Sequence, residues 1–244
     1  MDARTLVEAM TLWEGTGTAV AQAAHAVSGL LTDHGIANLI AGGLAVQLHG
    51  DPRTTVDVDI VVRDVEEAHA FLVANGYKTG GAGAVLGSQR VRSCVERDGD
   101  SDSLSSSWLL RAEDGSRSEE KRLAVIDESR RVRIDLLPSG KCLTGKCEVP
   151  FPDLPILRAI MQPVDLETLI SLKLDSWKHS PARRMQDRVD VAELIMRNEL
   201  PRELKVHPAI TEDYRALWDA LAAEPPGGHL REFGPRLWRS PAAA

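Results

Sequence analysis

Residues 55–62 alternate between polar and apolar side chains, and this alternation constrains the fold more than any other feature of the chain. The apolar positions are Val56, Val58 and Ile60. Because successive side chains of a strand point to opposite faces, the pattern predicts a half-buried strand with Asp57 and Asp59 on its polar face. Their carboxylates would lie about 6 to 7 Å apart along the strand, close enough to bind one cation together.

A second strand of the same kind is predicted at residues 131–137, where Asp135 falls on the face opposite to the buried residues. If the two strands are neighbours, a third carboxylate joins the first two. Magnesium prefers hard oxygen ligands and is usually held by a few carboxylates together with substrate phosphates. The alternative is that each polar face simply meets water. Three clustered carboxylates repel one another strongly without a cation, which favours the metal site.

Gly42 and Gly43 lie between a predicted strand, residues 38–41, and a predicted short helix, residues 44–49. Absent side chains let a phosphate approach the backbone, and the start of a helix offers free N–H donors. The alternative is a tight strand-to-helix turn with no ligand. The position of the pair just before the aspartate strand fits a triphosphate cradle.

Lys173 lies within the apolar stripe of a helix predicted to begin after Asp165, so its side chain should face the protein. The stripe consists of Leu166, Leu169, Ile170, Leu174 and Trp177. An inward-facing ammonium group needs an anion. The candidates are a nucleotide phosphate and a carboxylate such as Asp187 or Asp190 on the next helix. The alternative is a lysine that extends to solvent at the edge of the stripe.

Residues 178–184 form a compact positive cluster that includes Arg183 and Arg184 and continues to Arg188. Such a cluster can be a solvated helix face. If it faces the carboxylates, it can bind the triphosphate tail or the phosphates of an acceptor, and a nucleic-acid substrate becomes plausible.

Composition restricts the class of protein. A chain of 244 residues with 43% hydrophobic residues can bury one substantial core and a helical annex, which predicts one or two domains. The net charge of −7 argues against a surface that binds polyanions throughout. No apolar run of about 18 residues is present, so we expect a cytoplasmic protein with no membrane partner.

The cysteines are too few and too unevenly spaced for a secreted disulfide framework, so reduced thiols are expected. They are Cys94, Cys142 and Cys147. Cys142 and Cys147 could begin a metal site, but no second Cys/His pair with zinc spacing follows them. We therefore expect ordinary loop residues.

Four segments, taken in order, closely resemble the minimal nucleotidyltransferase superfamily, and among its members the AbiEii-type toxins in particular. They are residues 41–45 (AGGLA), 53–59 (RTTVDVD), 133–135 (RID), and Lys173 with 186–190 (QDRVD). The resemblance covers roughly residues 30–198. It implies an α+β fold of the DNA polymerase beta-like type, in which a mixed sheet is flanked by helices and followed by a C-terminal helical annex.

On this resemblance we divide the chain into a catalytic domain at 1–160, a helical region at 161–224 and a flexible tail at 225–244.

The resemblance also implies site roles. Asp57, Asp59 and Asp135 would bind two magnesium ions, and the same residues with Lys173 would be catalytic. Nucleotide binding is assigned to Gly42, Gly43, Arg53, Thr55, Lys173, Arg184 and Asp187. Gln186 departs from the family pattern, because a basic residue is common at that position.

The reaction implied is transfer of a nucleoside monophosphate from an NTP to an acceptor hydroxyl. One hypothesis is a toxin-like enzyme that modifies RNA, such as a tRNA 3' end, and has a cognate antitoxin as partner. A second is modification of a small molecule such as an antibiotic. A third is a non-catalytic module that binds nucleotides or a partner.

Overall fold

The structure, a computed structural model, describes residues 18–80, 123–142, 144–154 and 159–223. Several sequence predictions lie outside these ranges and are not tested. The apolar spacing of residues 5–34 predicts one or two helices there, whose first part lies outside the described residues. The same holds for a hairpin region predicted at 84–95, for loops predicted at 97–122 around a short strand at 107–110, and for the tail at 225–244.

A mixed five-stranded sheet with the order β1-β2-β5-β4-β3 forms the centre of the fold. The strands are β1 (Asn38–Ala41), β2 (Asp57–Val62), β3 (Lys78–Gly80), β4 (Leu123–Asp127) and β5 (Val132–Pro138). β2 and β5 run parallel, whereas the other neighbouring pairs are antiparallel. The two strands that carry the aspartates are therefore neighbours, as the metal-site prediction required.

Helices flank this sheet and follow it, which confirms the predicted α+β class. They are α1 (Ala19–Asp33), α2 (Gly42–Leu48), α3 (Val65–Ala74), α4 (Leu166–His179), α5 (Met185–Arg197) and α6 (Thr211–Ala223), with a short 3-10 helix at Pro208–Ile210. None of the helices in the described ranges is long and apolar enough to cross a membrane.

Several boundaries differ from the sequence prediction by one or two residues, and two of these differences concern residues near the site. The strand begins at Asp57 rather than 55, and Val56 is 77% exposed instead of facing the core. The short helix begins at Gly42 rather than 44, so both glycines belong to its first turn. Element ends depend on which backbone groups find partners in the tertiary fold, which the local pattern does not specify.

The core is formed by the apolar residues that alternate with the aspartates. Val58, Ile60, Ile134 and Leu136 have no exposed surface. Complete burial of one such side chain contributes about 1.5 to 3 kcal/mol to folding. The burial of these four residues fixes one face of β2 and β5 against the core. The aspartates therefore lie on the other face.

The C-terminal helices are joined to the sheet through the segment before α4. The amide of Ile40 donates to Gln162 O at 2.7 Å, and the amide of Val164 donates to Ile40 O at 2.8 Å. Asp165 caps α4 as predicted, since its carboxylate accepts from the amide of Thr168 at 2.8 Å. The domain boundary at residue 160 remains a prediction.

Candidate active site

The register of the parallel pair brings the predicted carboxylates together. Asp59 is the partner of Asp135 across β2 and β5, and Asp57 is the partner of Arg133. All three aspartates line one open cavity of about 320 Å³. Side chains at paired positions on neighbouring strands lie on the same face, so the sheet presents these groups side by side.

The glycine pair closes one side of this cavity. Gly42 has a φ of +60°, and a Cβ at that position would come within 2.7 Å of Asp59 Cγ. A Cβ at Gly43 would come within 2.7 Å of Thr55 Oγ1 and 3.3 Å of Arg53 Cζ. Only glycine allows the backbone to approach the aspartate strand this closely.

Each of two carboxylates already has a partner of its own. Asp57 Oδ1 accepts from Thr55 Oγ1 at 3.1 Å. Asp135 Oδ1 accepts from Arg133 Nε at 2.8 Å and lies 2.7 Å from Arg133 Nη2. Oxygens of the three aspartates do not all lie within 4.8 Å of one another. A shared cation would have to draw these carboxylates together and take Asp135 from its arginine.

The prediction of the site overlooked Arg133, although the sequence contains a signal for it. Arg133 lies two residues before Asp135 and therefore on the same face of the strand. Because its positive charge lies on the face that carries Asp135, Arg133 offsets the negative charge of this third carboxylate.

Lys173 lies at the base of the cavity, 6% exposed, and contacts two carboxylates of α5. Its Nζ is 2.9 Å from Asp187 Oδ1 and 2.6 Å from Asp190 Oδ2. The carboxylate partners considered from the sequence are thus present, and the alternative of a lysine that extends to solvent is wrong. The ammonium group links α4 to α5.

Asp190 is fully buried and holds a second cation, because Arg53 Nη1 donates to its Oδ2. Gln186 Nε2 donates to its Oδ1 at 2.9 Å. The unusual glutamine therefore supports the buried carboxylate. This network connects Arg53, which follows the glycine helix, to Lys173, and so fixes one wall of the cavity.

The positive cluster divides between two places. Arg183 and Arg184 line the cavity, and Arg184 Nη1 lies 3.8 Å from Asp187 Oδ2. Arg188 instead stacks on Trp177, with its Cζ 5.4 Å from the ring centroid, and is not among the described residues that line the cavity. The sequence did not indicate which of these arginines shares the cavity.

Part of the cavity lining is apolar, and its residues were not foreseen. It includes Leu137, Val149 and Phe151. Two of them belong to the loop after β5, which carries no recognisable motif. An apolar wall beside a polar base is a usual feature of sites for organic ligands.

A second group of polar side chains lies close to this wall. Ligand atoms of Cys147, Asp175 and His179 all lie within 4.8 Å of one another. Cys147 lies in a loop, as expected, but it is buried, and burial raises the pKa of its thiol. Asp175 also lines the cavity.

The chain matches no known protein-family description and no curated protein sequence. Among solved structures it is similar to a solution structure of the antibiotic-resistance factor ANT(2'')-Ia. The identity is 12%, the TM-score is 0.39, and the match covers 82% of this chain and 90% of that chain. A similarity of this size carries no argument about activity, so the function is argued from the site itself.

Proposed function

We propose that the chain is a nucleotidyltransferase that moves a nucleoside monophosphate from an NTP to an acceptor hydroxyl. The observation that carries this proposal is the register of β2 and β5, which sets Asp59 beside Asp135 while Asp59 lies directly against Gly42. Neighbouring carboxylates at an open cavity suit a metal–triphosphate substrate.

The donor set fits magnesium. Asp57, Asp59 and Asp135 supply hard oxygen ligands on one face of the sheet, and the cavity beside them has room for the remaining ligands. The three aspartates would hold two magnesium ions. Two such ions stabilise the attacking and leaving oxygens of an in-line displacement.

The chain's own residues supply the remaining functions. Gly42 and Gly43 let the backbone at the start of α2 pack closely against Asp59 and Thr55, at the edge of the phosphate-binding cavity. Arg184 has a 46% exposed side chain and a partner carboxylate only at 3.8 Å, so its guanidinium group is positioned for phosphate. Asp135 would accept the proton of the attacking hydroxyl. Lys173 and Arg53 offset negative charge at the base of the cavity.

The apolar wall formed by Leu137, Val149 and Phe151 supplies a surface for the nucleobase. Apolar contact is available to every base, because each base has a π-face. We therefore expect selection among NTPs to depend on the shape of this wall rather than on base-edge hydrogen bonds from it.

We propose RNA, such as a tRNA 3' end, as the first acceptor to test. Arg183 and Arg184 support this choice because they bring positive charge to the cavity in a chain with a net charge of −7. In this proposal the protein acts in the cytoplasm as an AbiEii-like toxin, and a cognate antitoxin is its partner. Its expression without that partner should slow growth.

A small cationic acceptor, such as an aminoglycoside, is the second candidate. Among the residues that the structure describes, five carboxylates and four basic side chains line the cavity. The carboxylates are those of Asp57, Asp59, Asp135, Asp175 and Asp187. This excess of negative charge would attract a cationic acceptor.

The test is incubation of purified protein with magnesium and each of the four α-labelled NTPs, together with total cellular RNA or a panel of aminoglycosides and lincosamides. Label in RNA supports the toxin-like enzyme, and label in a small molecule supports the antibiotic-modifying enzyme. Asp57→Ala/Asp59→Ala is the inactive control. NTP binding without pyrophosphate release in any mixture would overturn the proposal in favour of a non-catalytic module.

A further inference from the structure

We propose that Cys147, Asp175 and His179 form a second metal site, which binds a zinc-like cation and is separate from the three-aspartate site. The ligand atoms of these residues all lie within 4.8 Å of one another. Thiolate sulfur, imidazole nitrogen and carboxylate oxygen are the protein ligands of zinc. Magnesium takes oxygen ligands instead, so the two sites differ in the cation that they select.

Asp175 supplies the observation that points to a ligand. It is 1% exposed, and its Oδ2 accepts from the amides of Glu148 and Val149, both at 2.9 Å. Its Oδ1 is buried without a well-aligned hydrogen bond, and its nearest partner is His179 Nδ1 at 3.1 Å. The Cys147 thiol also interacts with this carboxylate. A buried carboxylate oxygen whose hydrogen bonds are poorly aligned is uncommon. The two amides thus hold the carboxylate with this oxygen facing the other two proposed ligands.

The other two ligands are also held in place. His179 follows Asp175 by one turn of α4, so both side chains lie on one face of the helix. The imidazole Nδ1 lies 2.9 Å from Asp175 O. Cys147 is held by Thr144, whose Oγ1 lies 3.3 Å from Sγ and whose carbonyl accepts from the Cys147 amide at 3.1 Å. Supporting contacts of this type orient metal ligands.

Three protein ligands leave one position of a tetrahedral ion open to water. The ion would join the loop that contains Cys147 to α4. That loop supplies Val149 and Phe151 to the cavity, and α4 supplies Lys173. A bound cation would therefore brace two walls of the cavity against each other, whatever reaction the cavity performs.

The test uses the full chain, freed of metal with a chelator and titrated with Co²⁺, whose thiolate complex gives a charge-transfer absorption band. One equivalent of Co²⁺ should produce the band. Zn²⁺ should remove the band by displacing Co²⁺, whereas Mg²⁺ should leave the band unchanged. Cys147→Ser should abolish the band, and His179→Ala should weaken Co²⁺ affinity at least tenfold. The matched control Cys142→Ser should keep the band, because Cys142 lies outside the cluster.

Two further measurements separate this site from the active site. Asp57→Ala/Asp59→Ala should retain the Co²⁺ band, so the result does not depend on nucleotidyl transfer. Zn²⁺ should raise the Tm of the wild-type chain and of Cys142→Ser by several degrees, but not that of Cys147→Ser. A folded wild-type chain without the band, or an equal band in Cys147→Ser, would show a purely hydrogen-bonded cluster and overturn the proposal.

Discussion

The carboxylate of Asp59 occupies the space that a side chain at Gly42 would need. A Cβ built at position 42 meets Asp59 Oδ2, Cγ and Cβ before any other atom. The first turn of α2 and the middle of β2 are thus matched to each other. The glycine is required by a neighbouring strand as well as by its own positive φ.

Gly42→Ala should abolish nucleotidyl transfer and destabilise the chain more than Gly50→Ala does. Both glycines have positive φ, +60° and +101°, so alanine strains the backbone at either position by about 1 to 2 kcal/mol. Nothing lies within 4 Å of a Cβ at position 50, whereas a Cβ at position 42 displaces Asp59. Thermal unfolding and labelled-nucleotide transfer measure the two effects. Equal activity in the two variants would contradict the match between Gly42 and Asp59.

Asp59→Asn should reduce the rate of transfer by roughly 100-fold or more, because it removes an anionic ligand at the centre of the cluster. The folded state should be retained, since Asp59 is only half-buried and its removal relieves repulsion from Asp135. Asp33→Asn, an exposed change of the same kind at the end of α1, should leave the rate unchanged. Rates under saturating NTP and denaturant unfolding decide between loss of function and loss of fold.

Lys173→Met should lower the free energy of unfolding by about 3 to 5 kcal/mol. The reason is that the fully buried Asp190 and the partly buried Asp187 lose the ammonium group that they share. Lys78→Met is the matched control. Lys78 pairs with Glu128 at 2.6 Å, but both side chains are more than half exposed, so about 1 kcal/mol or less should be lost. Urea denaturation measures both variants.

The double variant Lys173→Met/Asp190→Asn tests whether the loss arises from the charge. It should be less destabilised than the sum of the two single variants, because it removes a buried cation together with a buried anion. Strict additivity would mean that Lys173 contributes only packing.

Arg133→Gln should lower the magnesium concentration that gives half-maximal activity several-fold. The Arg133 guanidinium group holds Asp135 Oδ1 at 2.7 to 2.8 Å and competes with a cation for it. Arg63→Gln removes the same charge from an exposed position and serves as the control. Magnesium titrations of the transfer rate give the comparison. An unchanged magnesium requirement in Arg133→Gln would mean that this ion pair does not compete with the metal.

Stability should fall as the pH drops below neutrality, in part through His49. Burial lowers the pKa of His49, and its Nε2 contacts Val164 O at 2.7 Å. The folded state therefore keeps this imidazole neutral at a pH where the unfolded chain, with an ordinary pKa of about 6.5, takes up a proton. The stabilisation is present above that value and is lost as the pH falls toward the lowered folded-state pKa.

His49→Gln checks this prediction, since the amide can still donate to Val164 O but does not titrate. Between about pH 7.5 and 5, the variant should lose less stability than the wild-type chain. His69, whose pKa burial also lowers, is present in both proteins and cancels in the comparison. Parallel pH profiles would show that His49 does not contribute.

Local sequence patterns determined the elements of the fold that have a clear period. The alternation around Asp57, Asp59 and Asp135 fixed which side of each strand they occupy, because side-chain direction in a strand repeats every two residues. The apolar stripe around Lys173 determined that its side chain faces the protein interior. Val56 shows the limit of such a pattern, because the strand ends before it and leaves it exposed.

The tertiary structure alone decided which of these residues meet. The parallel register of β2 and β5 sets Asp59 beside Asp135, and the crossing of α4 and α5 sets Lys173 against Asp190. Cys147 reaches Asp175 and His179 only because the loop after β5 folds onto α4. Periodicity acts over a few neighbouring residues, whereas these contacts join residues far apart in the chain and depend on how whole elements pack.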